Sequence, residues 1–549
     1  MTKPWVVIVL AVARLIAPRP AVGQTTVRPN VVVIMTDDQR HDIVAYMPQT
    51  LDLLATHGTT FTNAVVSHSL CGPSRTSAIT GRYAHNTGVA SNFGPEDSYD
   101  RVDFARALPL AFQREGYYTA HVGKVINFYG AHDETEVPLG YDDWFGLLRG
   151  NFFNYDVNDN GVVRNYRTAP ENYQTDVLAG RAETAIRTAA ASGRPFVVWV
   201  TPVAPHDEGT AFGLIPPRPA PRHVGFFDTE PLPMPPSFNE ADMSDKPWRF
   251  SRLALFDDDG ITRLTTHYRA QIRSLLAVDD LVARVVATLE ETGTLSNTIV
   301  IFTSDNGFMF GEHRLQGKLW HFQPSILVPL LMRGPGVPAG ATQDALVSNI
   351  DLAATLADLT GARPVDPIDG RSFRSLLATP ASHPGNAVVL EEWPVLNDPF
   401  GHMWEEGILT ARYRYTQHAI GDHELYDLRL DPDELVSRHD DPAYATALAA
   451  LVRLRADLSR CVGDACQPTL RLRLRTSEHS GIVRARLSGP SRRQVHQVTF
   501  ETDAGSVTID QRPYRTTFQG ATAKELGATV ELWDGRIVTL GCRTGSCED

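Results

Sequence analysis

Cys71 opens the run Cys71-Gly72-Pro73-Ser74-Arg75, which continues through Thr76-Ser77-Ala78-Ile79-Thr80-Gly81-Arg82. Of five cysteines it is the one without a near neighbour: Cys461 and Cys466 stand close in sequence, as do Cys542 and Cys547. An exported protein can close both pairs as small disulfide loops. A zinc site made from these four is the weaker reading, because neither spacing is C-x-x-C and no histidine cluster accompanies them. A lone cysteine is ordinarily an inert buried thiol, but Pro73 and Arg75 in fixed register with Cys71 argue against that reading here. Two acidic groups, Asp37-Asp38 and Asp305-Asn306, each follow an apolar run. Four cationic or protonatable groups stand in short motifs: Arg75, Lys124 after Gly123, Lys318 after Gly317, and His206 closing Thr201-Pro202-Val203-Ala204-Pro205-His206. Taken singly these are solvated charges or helix caps. The formal net charge of -13 argues against nucleic acid as a partner, and it requires that any anionic substrate meet positive charge supplied locally.

The elements that position these groups alternate. Asn30-Val31-Val32-Val33-Ile34-Met35 is a continuous β-branched run ending in acids, as expected of a strand buried on both faces, and Thr298 to Phe302 repeats the pattern. Further buried strands are expected at Phe196 to Val200 and Val328 to Met332. Between Arg263 and Glu291, Ile272, Leu275, Leu276, Val282, Val285, Val286 and Leu289 fall at helical spacing, with Gly293 as a stop. Alternating strands and helices imply an α/β domain with a mainly parallel sheet, and ligands of such sheets gather at the carboxyl ends of the strands. Asp37, Asp38, Asp305 and Asn306 are expected at that edge. The stretch 209–250 holds Pro216, Pro217, Pro219, Pro221, Pro231, Pro233, Pro235 and Pro236 and is expected to form an ordered lid or wall beside the site. From Pro468 onward polar and apolar residues alternate, and Asp534-Gly535 marks a hairpin, so residues 468–549 are expected to form a small all-β domain.

The Cys71 to Arg82 run resembles the signature of the sulfatase family, C-x-P-x-R followed by a T-G-R-like element, and the resemblance extends from about Asn30 to Cys466. It implies an alkaline-phosphatase-like α/β sandwich with a large mainly parallel sheet and a smaller α+β subdomain, to which the β-domain is appended. It also implies that a formylglycine-generating enzyme oxidises Cys71 to an aldehyde. The hydrated aldehyde has a second hydroxyl, which can expel sulfate from an otherwise inert ester by regenerating the carbonyl. The family's single divalent cation maps onto Asp37, Asp38, Asp305 and Asn306, together with residue 71. An oxygen donor set of this kind suits calcium first and magnesium second. By the same resemblance Arg75, Lys124 and Lys318 grip the sulfate, His206 protonates the leaving oxygen, and Asp305 also accepts the attacking hydroxyl's proton. The chain departs from the family at three places. Gly72 replaces a small or hydroxyl residue. Gln323 stands where a glutamate is common, so a carboxylate expected near Lys318 is missing. Gly123-Lys124-Val125-Ile126-Asn127 replaces G-K-x-H, resembling the G-K-Y-L-N element of N-acetylglucosamine-6-sulfatases and making Asn127 a candidate substrate contact. Val137 to Tyr141, Leu276 to Leu281 and Val328 to Gly336 suggest the same subgroup, and Glu424 to Glu434 resembles the family's carboxyl-terminal subdomain.

The expected organisation is a signal peptide at 1–23, with Lys3, an apolar stretch from Trp5 to Ala13 and the cleavage site Ala21-Val22-Gly23. A catalytic α/β domain at 27–365, a subdomain at 366–466 and the β-domain at 468–549 follow. The expected activity is hydrolysis of sulfate monoesters, with a sulfated sugar such as N-acetylglucosamine 6-sulfate favoured, in a secreted or cell-envelope protein without an integral membrane segment. The competing readings are a phosphonate or phosphate ester hydrolase of the same superfamily and an inactive glycan-binding scaffold. His402, Trp404 and Glu405 are equally placed to reach a substrate mouth or to form a surface loop.

Overall fold

A computed structural model describes residues 28–210, 213–378, 386–393, 405–419, 421–467, 473–479, 482–488, 494–519 and 525–543. The signal segment 1–23, His402, Trp404 and Cys547 lie outside the described residues.

The central sheet is built from β1 (Asn30–Thr36), β2 (Thr59–Phe61), β3 (Tyr118–Gly123), β4 (Asp143–Leu147), β5 (Tyr155–Asp159), β6 (Val162–Tyr166), β7 (Phe196–Thr201), β8 (Thr298–Ser304), β9 (Leu330–Arg333) and β10 (Ala341–Gln343). Their order is β10-β2-β9-β8-β1-β7-β3-β4-β5-β6. The run β8-β1-β7-β3-β4 is parallel throughout. Because strand side chains alternate, Val32 and Ile34 enter one core while Val31, Val33 and Met35 enter another. Helices α2 (Gln174–Ala191) and α3 (Asp258–Glu291) close the first face, and α1 (Cys71–Thr80) and α4 (Asn349–Thr360) lie on the second. Burial on both faces is what the unbroken β-branched runs require, each such side chain contributing about 1.5–3 kcal/mol. No helix among the described residues is long and apolar enough to cross a membrane.

α3 begins five residues before the apolar periodicity does, because Asp257 caps it by accepting from the Gly260 N–H at 2.8 Å. β9 starts two residues later than the run Val328 to Met332 suggests and is antiparallel to β8. Pro329 has no N–H for the ladder, so pairing begins beyond it. The proline-rich stretch is not a lid. Its middle lies along α3, where Arg222 pairs with Asp176 and Asp280, Arg273 with Asp228, and Arg269 donates to the Glu230 carbonyl. Elsewhere it reaches the site loops: it starts just after His206, Phe238 bridges Glu312 and Glu240 Oε2 lies 2.7 Å from His313 Nδ1 on the loop between Asn306 and Lys318, and Phe250 packs edge-on against Trp320.

β11 (Ala387–Glu392), β12 (Glu405–Thr410), β13 (Tyr413–His418) and β14 (His423–Asp427) form an antiparallel meander covered by α5 (Ala445–Leu458). Cys461 and Cys466 are disulfide-bonded beside it. Beyond residue 472, β15 (Arg473–His479), β16 (Ile482–Ser488), β17 (Val495–Thr502), β18 (Gly505–Ile509), β19 (Arg515–Gln519), β20 (Glu525–Leu532) and β21 (Ile537–Arg543) make two sheets around a core of their own, including Val483, Phe500, Phe518 and Val530. The Asp534-Gly535 turn joins β20 to β21. Glu531 ties this unit to the meander through Arg412 (2.6 Å) and Arg429 (3.2 Å).

Candidate active site

Four adjacent parallel strands end side by side. Asp305 and Asn306 follow β8, Asp37 and Asp38 follow β1, His206 follows β7 and Lys124 follows β3. The register Thr36↔Ser304 sets the two acidic pairs next to each other, and the Asp38 N–H donates to Asp305 Oδ1 at 3.1 Å. Consecutive strand residues point to opposite faces, so Asp37 and Asp38 share the pocket only because the chain turns sharply between them. Asp38 sits at φ 67°, a left-handed conformation that costs about 1–2 kcal/mol in a non-glycine residue. Asn306 Nδ2 donates to Asp38 Oδ1 at 2.7 Å, while its buried Oδ1 has no hydrogen-bond donor among the described residues.

Cys71 is the first residue of α1, and Arg75 lies one turn on along the same face. Pro73 is tolerated because the first-turn N–H groups have no partner within the helix, and Gly81 at φ 71° ends it. Gly72 also has a local reason: its N–H donates to Asn92 Oδ1 at 2.9 Å, and a Cβ there would stand 2.3 Å from that oxygen. Cys71 Sγ lies 3.3 Å from Asp37 Oδ1 and 3.9 Å from Asp38 Oδ1. Lys318, which had the barest motif, reaches the sulfur directly: its Nζ is 2.8 Å from Cys71 Sγ and 2.6 Å from Asp38 Oδ1. Asp38 thus supplies the carboxylate that Gln323 lacks. Lys124 Nζ donates to Asp37 Oδ2 at 2.5 Å, and Arg75 Nε to Asp305 Oδ2 at 2.7 Å. His206 Nδ1 faces the Asp207 carbonyl oxygen at 2.6 Å, leaving Nε2 toward Asp38 Oδ2 at 3.8 Å. A ring that donates from Nδ1 can act as an acid from Nε2 only as imidazolium.

Three buried carboxylates meet three permanent cations here, and the balance fixes their protonation. Burial pushes Asp37 up, but Lys124, His206, Arg75 and Lys318 outweigh it and hold the carboxyl well below its ordinary range. Burial raises Asp305 against the pull of Arg75, which makes it the stronger base of the two. Burial, with Asp37 adding to it, pushes the Cys71 thiol up to about 12. An unmodified thiol at this position is protonated at neutral pH and is a poor nucleophile.

The residues from 29 to 362 match the sulfatase family model, and 311 to 460 match the model described as N-sulphoglucosamine sulphohydrolase, C-terminal. The chain belongs to the sulfatase family. It is a sulfuric ester hydrolase. The sulfatase is 33% identical to an arylsulfatase of Volvox carteri over 503 residues, covering 80% of this chain and 76% of that one. It is 34% identical to the N-acetylglucosamine-6-sulfatase of Homo sapiens over 356 residues, 62% of each chain; the match therefore spans less than two thirds of that relative. Its fold is similar to the structure of BT4656 in complex with its substrate D-glucosamine-2-N,6-O-disulfate, with a TM-score of 0.64, 24% identity, and coverage of 78% of this chain and 97% of that one.

The sulfatase brings nine of the ten candidate residues into one cluster. Asn127 is the exception: among the described residues its side chain bonds to no member of the cluster, its backbone oxygen accepts from Ser98 Oγ, and its Oδ1 is buried without a donor. Other residues around the site gave no motif. His267 on α3 stands 2.6 Å from Asp207 beside His206. Glu392 at the end of β11 accepts from Ser69 Oγ at 2.8 Å and from the Ser69 N–H at 3.2 Å, two residues before the cysteine, with Arg249 adding favourable charge. Both are long-range pairings between elements far apart in sequence.

Burial pushes Glu392 up to about 8, against an ordinary glutamate value of 4.5. The folded sulfatase therefore keeps a proton that the unfolded chain releases. This stabilisation is complete below pH 4.5 and is lost as pH rises through 8. Glu392→Gln is expected to lose less urea stability than wild type between those limits, by about 1–3 kcal/mol. Parallel losses in the two proteins would show that Glu392 is ionised throughout.

Proposed function

We propose that this sulfatase hydrolyses sulfate monoesters of a sulfated sugar, N-acetylglucosamine 6-sulfate being the favoured type, with formylglycine made from Cys71 as the nucleophile and one divalent cation held by Asp37, Asp38, Asp305 and Asn306. The observation that carries this reading is the convergence of three carboxylates and three cations on Cys71 at the head of α1. The donorless Asn306 Oδ1 supports the cation, since an amide oxygen buried among carboxylates is satisfied by a metal ion; the all-oxygen set favours calcium over magnesium. The sugar rests on the likeness to the human N-acetylglucosamine-6-sulfatase and on Lys124-Val125-Ile126-Asn127.

When bound, the cation polarises the sulfate and favours ionisation of the attacking hydroxyl. Arg75, Lys124 and Lys318 hold the sulfate oxygens, and the first-turn N–H groups of α1 add positive potential. One hydroxyl of the hydrated aldehyde attacks sulfur, giving its proton to Asp305, while the bond from sulfur to the sugar oxygen breaks and His206 protonates that oxygen. The second hydroxyl then gives its proton to solvent water, the carbonyl re-forms, sulfate departs with the electrons of the carbon–oxygen bond, and a water molecule adds to the aldehyde to restore the diol. Formation of the aldehyde requires a formylglycine-generating enzyme. The Cys461–Cys466 disulfide and the export-like residues 1–23 support maturation outside the reducing cytoplasm.

Tryptic mass spectrometry of the Cys71 peptide tests the nucleophile, and matched aryl sulfate, phosphate and phosphonate esters test the reaction. The expected result is an aldehyde at residue 71 and a preference for sulfate of at least about 100-fold in kcat/KM. Faster turnover of the phosphonate would assign the sulfatase fold here to phosphonate hydrolysis.

Asn127 has no base chemistry to offer near neutral pH, because an amide donates but does not usefully accept a proton. Asn127→Ala is expected to lower kcat/KM by about 10-fold through lost contacts in the transition state, without accumulating sulfated enzyme. Intact-mass analysis during turnover checks this. A sulfated species in the variant but not in wild type would place Asn127 in the elimination step instead.

A further inference from the structure

The carboxyl-terminal β-unit differs in charge from the rest of the molecule. Residues 468–549 hold 12 of the 51 lysines and arginines and 9 of the 64 acids, so this segment carries +3 where the remainder carries −16. Three of those 12 basic residues, Arg484, Arg486 and Arg515, stand on one sheet face. In the sheet β15-β16-β19, Val483, Ala485, Leu487 and Phe518 face the core. By the alternation of strand residues, the outward positions include 484 and 486 on β16 and 515, 517 and 519 on β19. Three of these five positions are arginine and none is acidic. Arg475, Arg486 and Arg515 occupy one cross-strand row, and Arg473 and Arg484 occupy the neighbouring register positions. The side chains of Arg484, Arg486 and Arg515 are exposed, and among the described residues none of the three pairs with an acid. The other sheet of the unit carries no such face: its outward positions include Thr499, Glu501, Thr508 and Thr529, and Thr499 bonds Thr508 at 2.9 Å.

We propose that this arginine face binds a sulfated polysaccharide, holding the polymer whose ester groups the catalytic site removes. The inference rests on the sulfated-sugar reading of that site. A solvated surface normally mixes both signs, and like charges directly opposite on paired strands destabilise a sheet, so a single-sign row needs a counter-charge. Outward neighbours stand about 4.8 Å apart across strands and about 6.7 Å apart along them. The row therefore reaches several sulfate groups at once, which a monosaccharide cannot supply and a polymer can. Arginine suits the task because its planar fork donates two parallel hydrogen bonds to a tetrahedral oxyanion. Because the arginines are exposed, affinity is expected to come from charge and to fall steeply with salt. Electrostatic capture on this unit raises the local concentration of polymer without any new contact at Cys71.

The test uses the full chain, comparing wild type with R484E/R486E/R515E, and with R484Q/R486Q/R515Q as a milder variant should the reversed charges disturb folding. Binding to immobilised dextran sulfate is measured against salt, double-stranded DNA serves as a competitor, and turnover of a small aryl sulfate is followed separately. Wild type is expected to bind and to be released by salt. The charge reversals are expected to weaken binding at least about 10-fold and the glutamines to do so less, with aryl sulfate turnover within about twofold of wild type. Unchanged binding in both variants overturns the proposal, as does a wild type that turns over aryl sulfate but ignores dextran sulfate. DNA that competes at equal charge as well as dextran sulfate itself also overturns it. Salt-sensitive binding through these arginines by a protein that hydrolyses no sulfate ester supports this face as a polyanion site and overturns the catalytic reading instead.

Discussion

Cys71→Ala is expected to abolish turnover, lowering kcat/KM by at least about 10⁴-fold, while the protein folds and melts as wild type does. The size of the effect follows from what is lost. The three cations remain to bind the ester, but nothing is left to form the covalent intermediate, and catalytic groups that act as a unit are not compensated by the others. The fold survives because Cys71 opens α1 at a position where the polar partners of its sulfur are site groups, Asp37, Asp38 and Lys318. Cys71→Ser separates attack from release: one hydroxyl can accept the sulfuryl group but has no second hydroxyl with which to expel it. Intact-mass analysis after mixing with substrate is expected to show one added sulfuryl group in the serine variant and none in the alanine variant. Turnover at the wild-type rate by alanine-substituted protein, free of wild-type contamination, would remove Cys71 from the mechanism.

Asp37→Asn is expected to cost at least about 10³-fold in kcat/KM and to remove the effect of calcium on stability. Asp37 is fully buried and is the carboxylate shared by Lys124, Arg75 and Cys71. The amide keeps the shape but loses the charge that offsets these cations and helps to hold a divalent ion. For wild type, calcium at 100 times its dissociation constant is expected to add about 2.7 kcal/mol of stability, and a chelator to reverse it. In the variant the melting temperature should be the same with calcium and with chelator. A calcium-dependent rise equal to that of wild type would place the ion elsewhere.

The short motifs were legible because their constraints are local. Arg75 shares a helix face with Cys71 because it stands one turn on. The pairs Asp37-Asp38 and Asp305-Asn306 lie at one edge because each closes an unbroken β-branched strand. Contacts between distant segments decided what local pattern left open. The prolines of 209–250 indicated an irregular course, but not that Arg222, Arg269 and Arg273 bind its middle along α3 while 237–240 pack on the loop between Asn306 and Lys318. Asn127 adjoins Lys124 in sequence, yet it makes no side-chain bond to the cluster.

The sequence by itself determined the residue types of the site and the edge of the sheet on which they gather, since strand burial and helix spacing are written in hydrophobic pattern. Tertiary structure alone decided that β8, β1, β7 and β3 are neighbours, because strand order depends on how the connecting helices pack and not on any strand's own residues. It also decided that Lys318, with only a Gly-Lys pair to mark it, stands 2.8 Å from the Cys71 sulfur, and that Arg484, Arg486 and Arg515 from two strands of the β-unit share one face. Each of these is a matter of register between segments far apart in the chain, which local pattern does not encode.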